Sequence, residues 1–162
     1  QCYCLILGCP INLVLIMELT HLGSYILIYK QTNMARNESQ FWQYLKKNTP
    51  TIKWTRIENT SSLGTPDLLG YNANNCFFTV ELKVVKSGNK IRFSPHQISF
   101  HIRHPISTYI LVDDAVRGRV CLYFGSEIDN LVKNGLKTKP EAETLEDCKA
   151  ILETMRTISR IT

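Results

Sequence analysis

The run Cys76-Phe77-Phe78-Thr79-Val80-Glu81-Leu82-Lys83-Val84-Val85 is apolar enough to lie inside a sheet, yet it holds an acid and a base two positions apart. Side chains of a β-strand alternate between faces, so Glu81 and Lys83 share one face while Val80, Leu82 and Val84 share the other. A buried sheet face has no packing need for such a pair, because charged groups are costly to remove from water. Upstream, Gly64-Thr65-Pro66-Asp67 brings a second carboxylate to the head of another strand-like run. On neighbouring strands the two acids and the amine form a small charged cluster suited to holding a metal ion.

The remaining chain sets the frame for that cluster. A length of 162 residues suits one domain with a real core. The formal net charge of +5 falls entirely on residues 34–162, since Glu18 and Lys30 cancel within the first 33. A modest positive excess suits a polyanionic partner. The six cysteines form no Cys-x-x-Cys pair and no matched Cys/His spacing, which argues against a zinc site. They read instead as reduced thiols of an intracellular, cytoplasmic protein, with Cys76 and Cys121 as small core residues on strands. The histidines, His21, His96, His101 and His104, lack metal-ligand spacing and read as surface or phosphate-adjacent residues. Residues 1–33 are strongly apolar. Pro10, Glu18 and His21 interrupt them, no basic flank precedes them, and a membrane span is the lesser reading. They read as an extension outside the working domain of 34–162.

Periodicity then orders the elements. A helix is expected over Glu38 to Lys47, strands over Ile52 to Ile57 and Pro66 to Tyr71, and a third over 76–85. Ser94 and Pro95 are expected to cap and open a helix carrying Gln97. Tyr109 to Val112 and Arg119 to Phe124 read as two strands across a turn at Asp113-Asp114 and Gly118. Ser126 with Asp129 resembles a capping box, and Pro140 is expected to open a closing helix over 141–158. The expected fold class is mixed α/β.

Four features in this order carry a resemblance: Glu38 in the first helix, Gly64-Thr65-Pro66-Asp67, Glu81-Leu82-Lys83, and Gln97 behind Ser94-Pro95. Over roughly residues 36–112 the chain resembles the PD-(D/E)xK nuclease superfamily. Within it the chain is most similar to the VRR-NUC and Holliday-junction-resolvase-like branches, which include phage-encoded members. The resemblance implies a restriction-endonuclease-like αβββαβ core and a Mg²⁺-dependent DNA endonuclease, with Mn²⁺ able to substitute, selective for branched, flap or junction DNA. A non-catalytic nucleic-acid-binding module on the same fold is the alternative, and a homodimer is compatible with the resolvase-like branch.

It also implies roles. Asp67 and Glu81 would be metal ligands, with the Leu82 carbonyl as a third oxygen. Lys83 would orient the attacking water or stabilise developing charge, Glu38 would complete the acidic shell, and Gln97 would bond the Lys83 region or a phosphate. Glu58, at the end of the first strand, is the alternative outer acid. Lys86, Lys90, Arg92 and Arg103 would contact DNA phosphates. Each role has a plainer rival: a turn residue for Asp67, a solvated strand face for Glu81 and Lys83, a helix-dipole acid for Glu38, a strand-end carboxylate for Glu58 and a surface amide for Gln97.

Overall fold

A computed structural model describes residues 13–19, 25–31, 36–57 and 63–156. The chain divides into two compact units, 1–35 and 36–162. In the first, strands β1 (Leu13–Leu19) and β2 (Tyr25–Gln31) form an antiparallel hairpin running from Leu13 opposite Gln31 to Leu19 opposite Tyr25. The Ile, Leu, Val and Tyr content of both segments favours extended backbone. Among the described residues no helix is long and apolar enough to cross a membrane.

The described residues of the second unit form an α/β fold, with a five-stranded mixed sheet and four α-helices among them. Helix α1 (Glu38–Asn48) is opened by a capping box, in which the Asn37 side chain accepts from the Gln40 N–H at 2.8 Å and Gln40 Oε1 accepts from the Asn37 N–H at 2.9 Å. Strands β3 (Lys53–Arg56), β4 (Leu68–Tyr71) and β5 (Phe77–Val85) follow as an antiparallel meander. Helix α2 (Pro95–Arg103) then carries the chain across to β6 (Thr108–Asp114), which lies parallel to β5. Such a parallel pair needs a crossover of this kind. Strand β7 (Arg119–Phe124) closes the sheet, whose order is β3-β4-β5-β6-β7. Helices α3 (Ile128–Asn134) and α4 (Leu145–Thr154) complete the unit.

The alternation of the strands divides the core in two. Phe78, Val80 and Leu82 of β5, with Leu111 and Leu122, pack against Phe41, Trp42 and Leu45 of α1 and Cys148 and Leu152 of α4. On the other face Val85, Ile110, Val112, Cys121 and Tyr123 pack against Ile128 and Leu131 of α3, with Ile98 of α2 at the margin. Glu81 and Lys83 belong to this second face by the period of two.

Four local expectations are corrected. The closing helix starts at Leu145, capped by Thr144, because residues 141 and 142 are engaged elsewhere: the Glu141 N–H donates to the Leu122 carbonyl at 2.9 Å and the Leu122 N–H to the Ala142 carbonyl at 2.9 Å. Ser126 is no cap; it lies in a 3₁₀ turn over Gly125–Glu127 that leads straight into α3. Asp113 and Asp114 are not turn residues but the buried end of β6. His101, read as a surface residue, is fully buried in α2.

Two buried acids at the end of a strand need partners, and arginines supply them. Arg36 grips Asp113 with two hydrogen bonds, of 2.7 and 3.0 Å, while its guanidinium lies 4.0 Å above the Tyr44 ring. Asp114 accepts from Arg117 at 3.0 Å and Arg119 at 3.1 Å. Burial alone would raise the Asp114 carboxyl, but these two guanidinium bonds outweigh it and hold the pKa low.

Candidate active site

The site forms where β4 stops beside β5. The last ladder pair of the two strands is Leu68 with Val80, and the antiparallel register continued by one residue sets Asp67 opposite Glu81. Directly opposed residues of an antiparallel pair present their side chains on the same face. The main chain of Asp67 is still tied to the sheet, since its carbonyl accepts from the Ile57 N–H at 2.8 Å. Its carboxylate turns toward β5 and accepts from the Leu82 N–H at 2.8 Å. A strand residue sends its N–H and C=O to the same edge, so the Leu82 carbonyl also points to the β4 side, where Asp67 stands. The two candidate ligands and the candidate main-chain oxygen thus share one corner.

Gly64 explains the start of the Gly-Thr-Pro-Asp segment. Its φ of +88° is a left-handed conformation, and a Cβ there would lie 2.4 Å from the main-chain oxygen of His96. Only glycine meets both conditions. The close approach seats the turn before Asp67 on the first turn of α2, which also carries Gln97.

Glu81 is fully buried. Its Oε1 meets the Lys83 ammonium at 2.7 Å and accepts a short hydrogen bond from Gln97 Nε2, while its Oε2 is buried without a hydrogen-bond partner. Gln97 works in two directions. As the third residue of α2 its Oε1 accepts from the Ser94 N–H at 3.0 Å, closing a capping box, and its amide nitrogen reaches Glu81. Burial pushes the Glu81 carboxyl up to about 7, the neighbouring Asp67 charge adds to the rise, and Lys83 opposes it. Perturbation by burial together with a like charge is the pattern of carboxylates gathered for chemistry. Lys83 itself is mostly enclosed and lies 5.6 Å from the Phe93 ring centre.

Glu38 is exposed in the first turn of α1 and contributes to the Glu81 shift as a further negative charge. It lines a cavity of about 480 Å³ together with Lys83, Val84, Lys86, Lys90 and Arg92. Three of the four basic residues read as DNA contacts therefore share a cavity with Lys83 and Glu38, whereas Asp67, Glu81 and Gln97 do not line it. Arg103 does not line this cavity; it lies exposed at the end of α2, its guanidinium bonded to the Ser99 carbonyl at 3.2 Å. Glu58 lies outside the described residues. Among those described, no three His, Cys, Asp or Glu side chains form a ready metal cluster, and Glu38 acts on Glu81 as a further negative charge.

One group near the site was not legible beforehand. His101 lies on α2 with neither ring nitrogen hydrogen-bonded. Burial, then the charges of Lys83 and His104, lower its pKa to about 4. Only its helical spacing from Gln97, four residues back, signalled which way it faces. No protein-family model matches this chain, and no curated protein sequence matches it.

Proposed function

We propose that this chain is a divalent-metal-dependent deoxyribonuclease of the PD-(D/E)xK type, akin to the VRR-NUC and Holliday-junction-resolvase-like branches, acting on branched or flapped DNA. The observation that carries the reading is the corner itself. Asp67 lies opposite Glu81 in register, the Leu82 carbonyl is directed to the same edge, and Lys83 and Gln97 both hold one Glu81 oxygen. The element order α1-β3-β4-β5-α2-β6 supports the reading, because it runs in the αβββαβ order expected of a restriction-endonuclease-like core.

The donor set fits Mg²⁺ or Mn²⁺. These hard cations take carboxylate and carbonyl oxygens, and the unpartnered buried Glu81 Oε2 is an oxygen that a cation would satisfy. Asp67, Glu81 and the Leu82 carbonyl would hold it, with Glu38 at the rim. The ion would polarise a phosphate and acidify its bound water. The chain's own residues supply the rest. Gln97 fixes the Glu81 rotamer from the helix side. Lys83, its ammonium 2.7 Å from Glu81 Oε1, offers positive charge where negative charge builds on the phosphate. Lys86, Lys90 and Arg92 hold the strand through its phosphates.

The test uses the full chain with Mg²⁺ and a panel of linear, flap, splayed and four-way DNA. Cleavage is expected, and Asp67→Asn or Lys83→Ala is expected to reduce it by roughly 10²-fold or more. Cleavage that persists in both variants overturns the assignment. DNA binding without cleavage by the wild type would instead identify a nucleic-acid-binding module.

A further inference from the structure

The basic lining of the site does not stop at Arg92. A second cavity, of about 440 Å³, is lined by Asn89, Lys90, Lys133, Gly135 and Lys137 among others. Lys90 lines both cavities, so the two adjoin across the loop between β5 and α2. Lys83, Lys86, Lys90 and Arg92 line the first, Lys90, Lys133 and Lys137 the second, and Glu38 is the single acid in either lining. Among the described residues Lys86, Lys90, Arg92, Lys133 and Lys137 take part in no ion pair, whereas Arg36, Arg117 and Arg119 are committed to Asp113, Asp114 and Glu143.

The ridge between the cavities is held in place. The Asn89 carbonyl accepts from the Leu136 N–H at 2.8 Å, and Asn89 Oδ1 accepts from Arg117 at 2.6 Å. Gly135 allows this approach: its φ is +56°, and a Cβ there would stand 2.0 Å from the Asn89 oxygen. A loop carrying Lys86 and Lys90 is thereby pinned to the segment carrying Lys133 and Lys137. Lysines on a flexible loop would lose that fixed spacing.

We infer that the second cavity is a phosphate-binding continuation of the site, in which Lys133 and Lys137 grip the DNA backbone beyond the reacting phosphate, with Lys90 bridging the two. The inference rests on the deoxyribonuclease reading and adds a strand path of defined direction, from the end of β5 across residues 87–90 to the end of α3. Each cation set against a phosphate releases about 0.9 counterion from duplex and about 0.7 from a single strand. Loss of two such contacts therefore has a numerical signature in the salt dependence.

The experiment measures binding of the full chain to a fluorescently labelled flap DNA by anisotropy in EDTA, across a range of salt. The paired variant Lys133→Glu with Lys137→Glu is expected to bind at least ~10-fold more weakly and to lower the slope of log affinity against log salt by about 1.4 to 1.8. The neutral pair Lys133→Gln with Lys137→Gln is expected to give the same fall in slope with a smaller loss of affinity. Both lysines are exposed, so the variants should unfold with the wild type, and Lys47→Glu on α1 serves as a remote control that leaves the slope unchanged. A wild-type slope in both paired variants, with wild-type binding intact, overturns this inference alone. Absence of DNA binding by the wild type would overturn it together with the reading it rests on.

Discussion

At the scale of single residues, the same burial acts in opposite senses on neighbouring groups. It pushes the Glu81 carboxyl up to about 7 and the His101 imidazole down to about 4. His101 has a direct consequence for stability. An unfolded chain takes up its proton near 6.5, the folded chain only near 4, so between these values the unfolded state binds more protons. Its contribution is complete above pH 6.5 or so and is lost as the pH falls toward 4. His101→Leu replaces a ring without hydrogen bonds by an apolar group that cannot titrate. Melting temperatures recorded across that window should fall less steeply for the variant than for the wild type. Parallel curves would show that His101 is not the acid-sensitive group.

At the scale of elements, the first helix, the β5 alternation and the Ser94-Pro95 start of α2 could be read from the chain because each is encoded by contiguous residues. The errors arose where distant backbone took over. Residues 141 and 142 look like the opening of a helix after Pro140, yet their polar groups pair with Leu122. Asp113-Asp114 has the composition of a turn, and only the arrival of Arg36, Arg117 and Arg119 makes it a strand end. The candidate site was legible as Asp67, Glu81 and Lys83 for the same local reason, whereas Lys133 and Lys137 come near Lys90 only by tertiary packing. The capping box of α2 offers a test of how element and site are joined. Gln97→Glu keeps an Oε1 to accept from the Ser94 N–H, so the cap of α2 is retained. It removes the donor to Glu81 and sets a third acid beside it, so DNA cleavage should drop. Gln97→Ala should lose both the cap and the orientation of Glu81. Wild-type cleavage by the Glu variant would separate Gln97 from the chemistry.

At the scale of the folded unit, Arg36 joins the start of α1 to the end of β6, a pair 77 residues apart in sequence. Arg36→Ala leaves the Asp113 carboxylate, only 3 % exposed, without its guanidinium. Urea denaturation should show a loss of about 1.5–3 kcal/mol, the range for hydrogen bonds to charged groups, and a loss below ~0.5 kcal/mol would place the clamp outside the stability of the fold. Because this clamp fixes the end of α1 that carries Glu38, its removal should also disturb the rim of the site. The stop of β4 at Leu68 has a consequence of another kind. Past Val80, β5 has outrun its antiparallel neighbour, and a strand that does so offers main-chain donors to any extended peptide, including one from a second molecule. The Asp67 carboxylate already occupies the Leu82 N–H and sets a charge on that edge. The residue proposed to bind metal is thus also a guard against sheet-to-sheet association. Alanine at 67 would lift both functions at once, while asparagine retains the acceptor, keeps the edge shut, and isolates the loss of charge.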